Sequence, residues 1–267
     1  VSGRFYPATG DDLEQEVRAL LAHVEPVSHP AAARAAVAPH AGYRYSGLTA
    51  AHVFARLALP RLVVILAPNH TGVCRAPGGA SLWEAGAFAT PLGPVEIAAD
   101  LAGAVRAASP LVAVDHAAHE DEHAVEVELP FLQIRRRDVA IVPLVLAWDD
   151  WERSRGLGEA IAAVVRGWTE PVLLLASSDL NHHEPGTVTE LKDARALAAI
   201  TALDGAELLR RCHAESISMC GRAPVATVIA AARALGSVRA ELVDYRHSGW
   251  VTGDESRVVG YGGVVMP

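Results

Sequence analysis

Four short apolar runs, at 35–39, 62–67, 139–147 and 171–176, set the tightest limit on what this chain can fold into. Most are rich in Val, Leu or Ile, and they lack the strict alternation of a strand with one wet face. Such runs predict strands covered on both sides. Between them lie segments of helical composition at 47–58, 97–108, 122–137 and 151–167. Alternating β and α segments predict an α/β fold, with a central mostly parallel or mixed sheet flanked by helices. Before the first run, Leu13, Val17, Leu20, Leu21 and Val24 recur at helical spacing, and Thr9 stands three residues ahead of Asp12 as a cap. A helix over 11–24 follows. Pro130 starts or kinks a helix, because it lacks an N–H and clashes with the preceding turn. Beyond 187 the pattern predicts helices over 187–211 and 223–235, then strands at 239–245 and 257–266.

No repeat, low-complexity segment or linker divides the chain, so residues 1–267 are expected to form a single domain. A composition of 51% hydrophobic and 20% charged residues supports a sizeable core. The formal charge of −8, with no basic run longer than Arg135–Arg137, argues against a nucleic-acid partner. The longest apolar stretch, Val139 to Trp148, is about half of a membrane span of roughly 20 residues and is broken by Pro143. No membrane partner is expected. The first residues show no secretory signal, although a processed chain would have lost one, and the expected location is cytoplasmic.

Three of the predicted strands run straight into histidine. The first delivers Pro39-His40, the second Pro68-Asn69-His70, and the fourth Ser177-Ser178-Asp179-Leu180-Asn181-His182-His183. Ligands of open parallel sheets bind beyond the carboxyl ends of strands, where such residues collect. Neutral imidazole is the commonest metal ligand, and two imidazoles with one anionic ligand leave positions open on zinc or non-haem iron. Cysteine is the candidate for the anionic ligand. Three cysteines are too few for a disulfide framework or a four-cysteine zinc site. Cys220 precedes a helix predicted to open near Ala223-Pro224, where the helix N-terminus favours a thiolate. Cys74 and Cys212 are expected to be inert.

Asp179 and His182, three residues apart after a strand, fit either an oriented proton-transfer pair or a helix cap made by Ser177, Ser178 or Asp179. Glu122 and His123 are further candidates within an acidic stretch. There is no Gly-x-Ser-x-Gly elbow, Walker loop, dinucleotide fingerprint or His-Glu-x-x-His motif.

Taken in order, Ser2-Gly3-Arg4-Phe5-Tyr6-Pro7, Ala38-Pro39-His40-Ala41-Gly42-Tyr43, Pro68-Asn69-His70, Asp121-Glu122-His123 through Leu129-Pro130, Ser177-Ser178-Asp179, Cys220-Gly221-Arg222 and Gly253-Asp254 resemble the Memo family. Its bacterial and archaeal members are also called the B component of the AmmeMemoRadiSam system. The resemblance implies a fold similar to the class III extradiol dioxygenases, which are non-haem iron enzymes. It implies a metal site at His40, His70 and Cys220, with Asp179 and His182 beside it. In the dioxygenases a glutamate stands in place of the cysteine. A thiolate is softer, suits copper(I) and zinc as well as iron, and is itself oxidisable, which weakens the case for ring cleavage. This chain departs from the pattern in carrying Phe5 where many relatives have tryptophan and His183 where animal members have it.

The leading expectation is therefore an oxidoreductase holding one transition-metal ion, iron or copper with zinc as the alternative. His182 is assigned to acid/base work, Asp179 to orienting it, and Tyr43, Tyr45, His183 and His123 to contacts with an unidentified small-molecule substrate. The rival readings are a metal-binding or protein-interaction module, with a protein partner or a second copy, and a zinc-assisted hydrolase.

Overall fold

In a computed structural model, residues 1–26 and 30–267 are described. The chain begins with helix α1 (Gly10–Ala22), then runs through β1 (Ala35–Ala38), α2 (Tyr43–Arg56), β2 (Leu62–Pro68), β3 (Ala80–Leu82), β4 (Ala87–Thr90), β5 (Gly93–Ile97) and α3 (Ala99–Ala108). The middle holds β6 (Val112–Val114), α4 (Ala117–Glu120), α5 (Leu129–Arg135), β7 (Ala140–Leu146), α6 (Trp151–Gly167) and β8 (Val172–Ser177). It closes with β9 (His182–Glu184), α7 (Gly186–Thr201), α8 (Gly205–Ala214), α9 (Arg222–Ala234), β10 (Glu241–His247), α10 (Gly249–Thr252) and β11 (Val258–Met266).

The sheet runs β10-β11-β1-β8-β2-β7-β3-β6, with β5 also against β7, β4 on β5, and β9 on β11. Pairing is parallel across β1, β8, β2 and β7 and antiparallel where β11 and β3 join, so the α/β sheet is mixed. All four of these parallel strands are buried along their whole length. Their unbroken apolar sequence has that physical origin, because helices cover both faces.

The first helix is capped as expected: Thr9 Oγ1 accepts from the Asp12 backbone N–H at 3.3 Å, and Leu13 and Val17 face the core. The helix expected over 122–137 is instead a short 3-10 turn at Glu126–Glu128 followed by α5, with Pro130 in its first turn. Proline is tolerated there because the first N–H groups of a helix have no intrahelical partner. The helix expected over 187–211 breaks after Thr201, where Leu203 takes φ 55° and the Asp204 side chain caps α8 by accepting from Glu207 N. Three elements gave no sequence signal: the β4–β5 hairpin, turning at Gly93 with φ 107°, and strands β3 and β6 of three residues each. Among the described residues no helix is long and apolar enough to cross a membrane.

Candidate metal centre

Because β1, β8 and β2 are parallel neighbours, with Ala38 opposite Ser177 and Leu66 opposite Ala176, their carboxyl ends open side by side. The chain releases His40, Asp179 and His70 at that one edge. The His40 and His70 rings meet edge to face with centroids 5.2 Å apart. His123, arriving from the segment before α5, stacks on His70 at 4.7 Å and meets His40 edge-on at 5.3 Å. One ligand atom from each of the three lies within 4.8 Å of the others, a spacing that can hold a metal ion.

Two of the three rings, those of His70 and His40, are held by a hydrogen bond on the Nδ1 side. His70 Nδ1 lies 2.8 Å from Glu122 Oε1, while His70 N donates to Glu122 Oε2 at 2.6 Å. The same Oε1 is 3.3 Å from His123 Nδ1. Burial pushes the Glu122 carboxyl upward, but the His70 ring, the His70 backbone N–H and the Ala124 N–H outweigh it and hold the group below the usual carboxylate range. His40 Nδ1 lies 2.8 Å from Ser177 Oγ, and His40 N donates to Asp179 Oδ1 at 2.9 Å. With Nδ1 engaged in both rings, Nε2 is the atom left for a metal.

Cys220 reaches His40 from the turn before α9, its Sγ 3.3 Å from His40 Nε2. Donors at about 2.0 Å and 2.3 Å from a tetrahedral ion stand about 3.5 Å apart, so the separation suits an ion shared by these two. Among the described residues, however, the three donors within 4.8 Å of one another are those of His40, His70 and His123, and His123 rather than Cys220 completes that group. The approach depends on Gly221, at the N-cap of α9: a Cβ there would fall 2.4 Å from Ser178 Cβ and 2.6 Å from Ser177 O. The residue as a whole is partly exposed, but its sulfur is enclosed. Burial, and then the Asp179 carboxyl, raise the thiol well above its ordinary value. The helix N-terminus expected to favour a thiolate does not prevail without a cation. Burial lowers the His40 and His123 imidazoles, which keeps them in the neutral form that binds metal.

Other sequence expectations land differently. Asp179 does not orient His182: its carboxyl, pushed up to about 7 by burial, accepts from the backbone of His40 and Ala41. The His182 ring is held instead by Ser218, whose carbonyl lies 3.1 Å from Nδ1 and whose Oγ accepts from His182 N at 2.8 Å. Nor do Ser177, Ser178 and Asp179 cap a helix, since β8 is followed by a loop and β9. Tyr43 does not line a cleft. It is 2% exposed, packs on Tyr6 and Phe131, and donates its hydroxyl to Val127 O. Tyr45 and His183 do share a cleft of about 310 Å³ with Arg257 and Tyr261. Another, of about 450 Å³, runs past Cys220, Asn69, Trp148 and Asp149. Cys212 is buried in α8, its thiol pushed up to about 12 by burial, and Cys74 lies against Ala76 O and Ser81.

Sequence reasoning missed Ser177 as a histidine partner, set Glu128 aside with a solvated acidic helix start, and gave Phe5 no place at the cluster. The Phe5 ring stacks on His123 at 4.5 Å, so the N-terminal segment forms one wall of the cluster.

A family model described as Memo-like protein matches residues 1–265. A MEMO1 family protein of Methanopyrus kandleri is 38% identical, over 100% of this chain and 97% of the relative. One of Methanothermobacter thermautotrophicus is 37% identical over 98% and 96% of the two chains, and one of Methanosarcina barkeri is 37% identical over 100% and 98%. Among solved structures, an uncharacterized protein from Escherichia coli K12 superposes with a TM-score of 0.60 over 86% of this chain and 98% of its own, at 12% identity. That likeness concerns the fold alone.

Proposed function

Since this chain belongs to the Memo family, we propose that it is a metal-dependent oxidoreductase with one transition-metal ion, iron or copper, held by His40, His70 and Cys220, with His123 as a further imidazole. The observation that carries this reading is the arrangement of the Nδ1 atoms. Glu122 engages His70 and Ser177 engages His40, so both rings are fixed before any ion arrives and each keeps Nε2 bare. A redox-active ion bound there supplies electron transfer to or from oxygen or a substrate oxygen. His182, held by Ser218, is the proton donor and acceptor. Its imidazole is lowered from its ordinary value, first by burial, so it is neutral and able to accept a proton at neutral pH. Tyr45 and His183 contact the substrate from the cleft they line.

Zinc-assisted hydrolysis is less well supported, because it needs a carboxylate free to activate water. Asp179 is tied to the His40 and Ala41 backbone, and Glu122 to His70. The test is metal analysis of protein prepared without oxygen or chelators, followed by spectroscopy of the ion under oxidant and reductant. One ion per chain that cycles between oxidation states is expected. His182→Ala should keep that ion and lower turnover by a factor on the order of 10² to 10⁴. An ion that never changes state would favour a binding module instead.

A further inference from the structure

Glu128 is 1% exposed, and among the described residues the one hydrogen-bond partner of its carboxyl group is Ser177, whose Oγ lies 2.8 Å from Oε1. Its second oxygen, Oε2, is buried and has no partner among the described residues. An ionised carboxylate in that position would be an uncompensated interior charge, which costs far more than a neutral acid. The proton count at Ser177 makes the same demand. Its Oγ has three neighbours: Ala124 O at 2.7 Å, Glu128 Oε1 at 2.8 Å and His40 Nδ1 at 2.8 Å. A hydroxyl has one proton and two acceptor positions. Ala124 O can only accept, so it takes the Ser177 proton. The other two neighbours must then both donate, His40 through Nδ1–H and Glu128 through a carboxylic O–H.

We propose that Glu128 is a positioning residue carried as a neutral carboxylic acid, whose proton, given to Ser177 Oγ, fixes His40 with its proton on Nδ1 and Nε2 bare. The proposal rests on His40 being a metal ligand only for its consequence; the proton assignment stands on the contacts themselves. Burial raises the Glu128 carboxyl well above the carboxylate range, in the same direction. A carboxylate here would also pull the Ser177 proton away from Ala124 O and leave that buried carbonyl unpaired. Gln fits the same place: its amide N–H donates to Ser177 and its carbonyl replaces Oε2.

The experiment uses metal-free full-length protein. Infrared difference spectra between wild type and Glu128→Gln at neutral pH should show loss of a carboxylic-acid C=O band and no loss of carboxylate bands. Nitrogen NMR with labelled histidine, assigned against His40→Gln, should place the His40 proton on Nδ1 in both proteins. Zinc titration should give Glu128→Gln an affinity within about threefold of wild type, and Ser177→Ala a loss of about 10- to 100-fold. Should Glu128→Gln fail to fold, Glu128→Met serves for the infrared arm. Loss of carboxylate bands, or a His40 proton on Nε2 in wild type, would overturn the proposal. Failure of wild type to bind zinc would strike the metal reading and leave the infrared and NMR arms to decide Glu128.

Discussion

The two sides of the histidine cluster hold their rings by different means. On the side of His70 and His123, Glu122 bonds one ring directly, reaches the other, and is kept ionised by the donors around it. On the side of His40, a second buried glutamate, six residues along the same segment, acts through Ser177, and burial drives it toward the neutral acid. The difference follows from what else stands nearby. His40 already faces Cys220, which becomes anionic on binding a metal, and Asp179. A divalent ion bound through Cys220 would meet the charges of Glu122 and the thiolate beside Asp179, whose carboxyl is pushed up to about 7, and an ionised Glu128 in the enclosed pocket behind His40 would have no cation of its own to offset it.

The largest effect should come from Cys220. Cys220→Ser should cost more metal affinity than any outer partner, while Cys74→Ser and Cys212→Ser should titrate like wild type. Equal losses in all three would indicate misfolding rather than lost ligation. Next comes the glutamate pair itself. Glu122→Gln offers one acceptor where two donors from His70 and the Ala124 N–H converge, and should weaken zinc binding about 10- to 100-fold. Glu128→Gln should barely change it. Equal effects would break the comparison.

The thiol also sets a pH dependence. Its proton is held more tightly than in a free cysteine and must leave when the sulfur binds, so above the imidazole range affinity should rise about tenfold per pH unit. In Cys220→Ser the same titration should be flat. The smallest effect belongs to the N-terminal wall. Phe5→Ala removes a stack on His123 worth about 0.5–1.5 kcal/mol, so metal affinity should fall by no more than about tenfold, leaving the thiol-linked slope intact.

Sequence reached the centre of this molecule better than its margins. The four parallel strands were legible because both faces are buried, and the histidines two residues beyond β1 and β2 then had to share an edge. The helix after Cys220 was legible too, opening at Arg222 and leaving Sγ 3.3 Å from His40 Nε2, whereas the place of His123 in the cluster was not. Tyr43 was misplaced because the helix was expected from 47; beginning at Tyr43, it aligns Tyr43, Gly47, Ala50, Ala51 and Phe54 on the buried face. Asp179 and His182 look paired only if the chain between them coils. In the loop after β8 the carboxylate turns back to the His40 backbone. Glu122 and Glu128 sit in one acidic stretch with helical composition, where Glu122 stood out only by its place beside His123 and Glu128 did not stand out at all. Their charge states depend on which strands they meet, which is tertiary information.

Anaerobic titration with cobalt(II) tests the central claim most directly, because a thiolate on cobalt produces an intense sulfur-to-metal charge-transfer absorption that nitrogen and oxygen ligands do not. The account predicts one cobalt per wild-type chain with that absorption, its complete loss in Cys220→Ser, and weakened binding in His40→Ala, His70→Ala and His123→Ala. One tightly bound cobalt without the absorption in wild type, or with the absorption retained in Cys220→Ser, would contradict it.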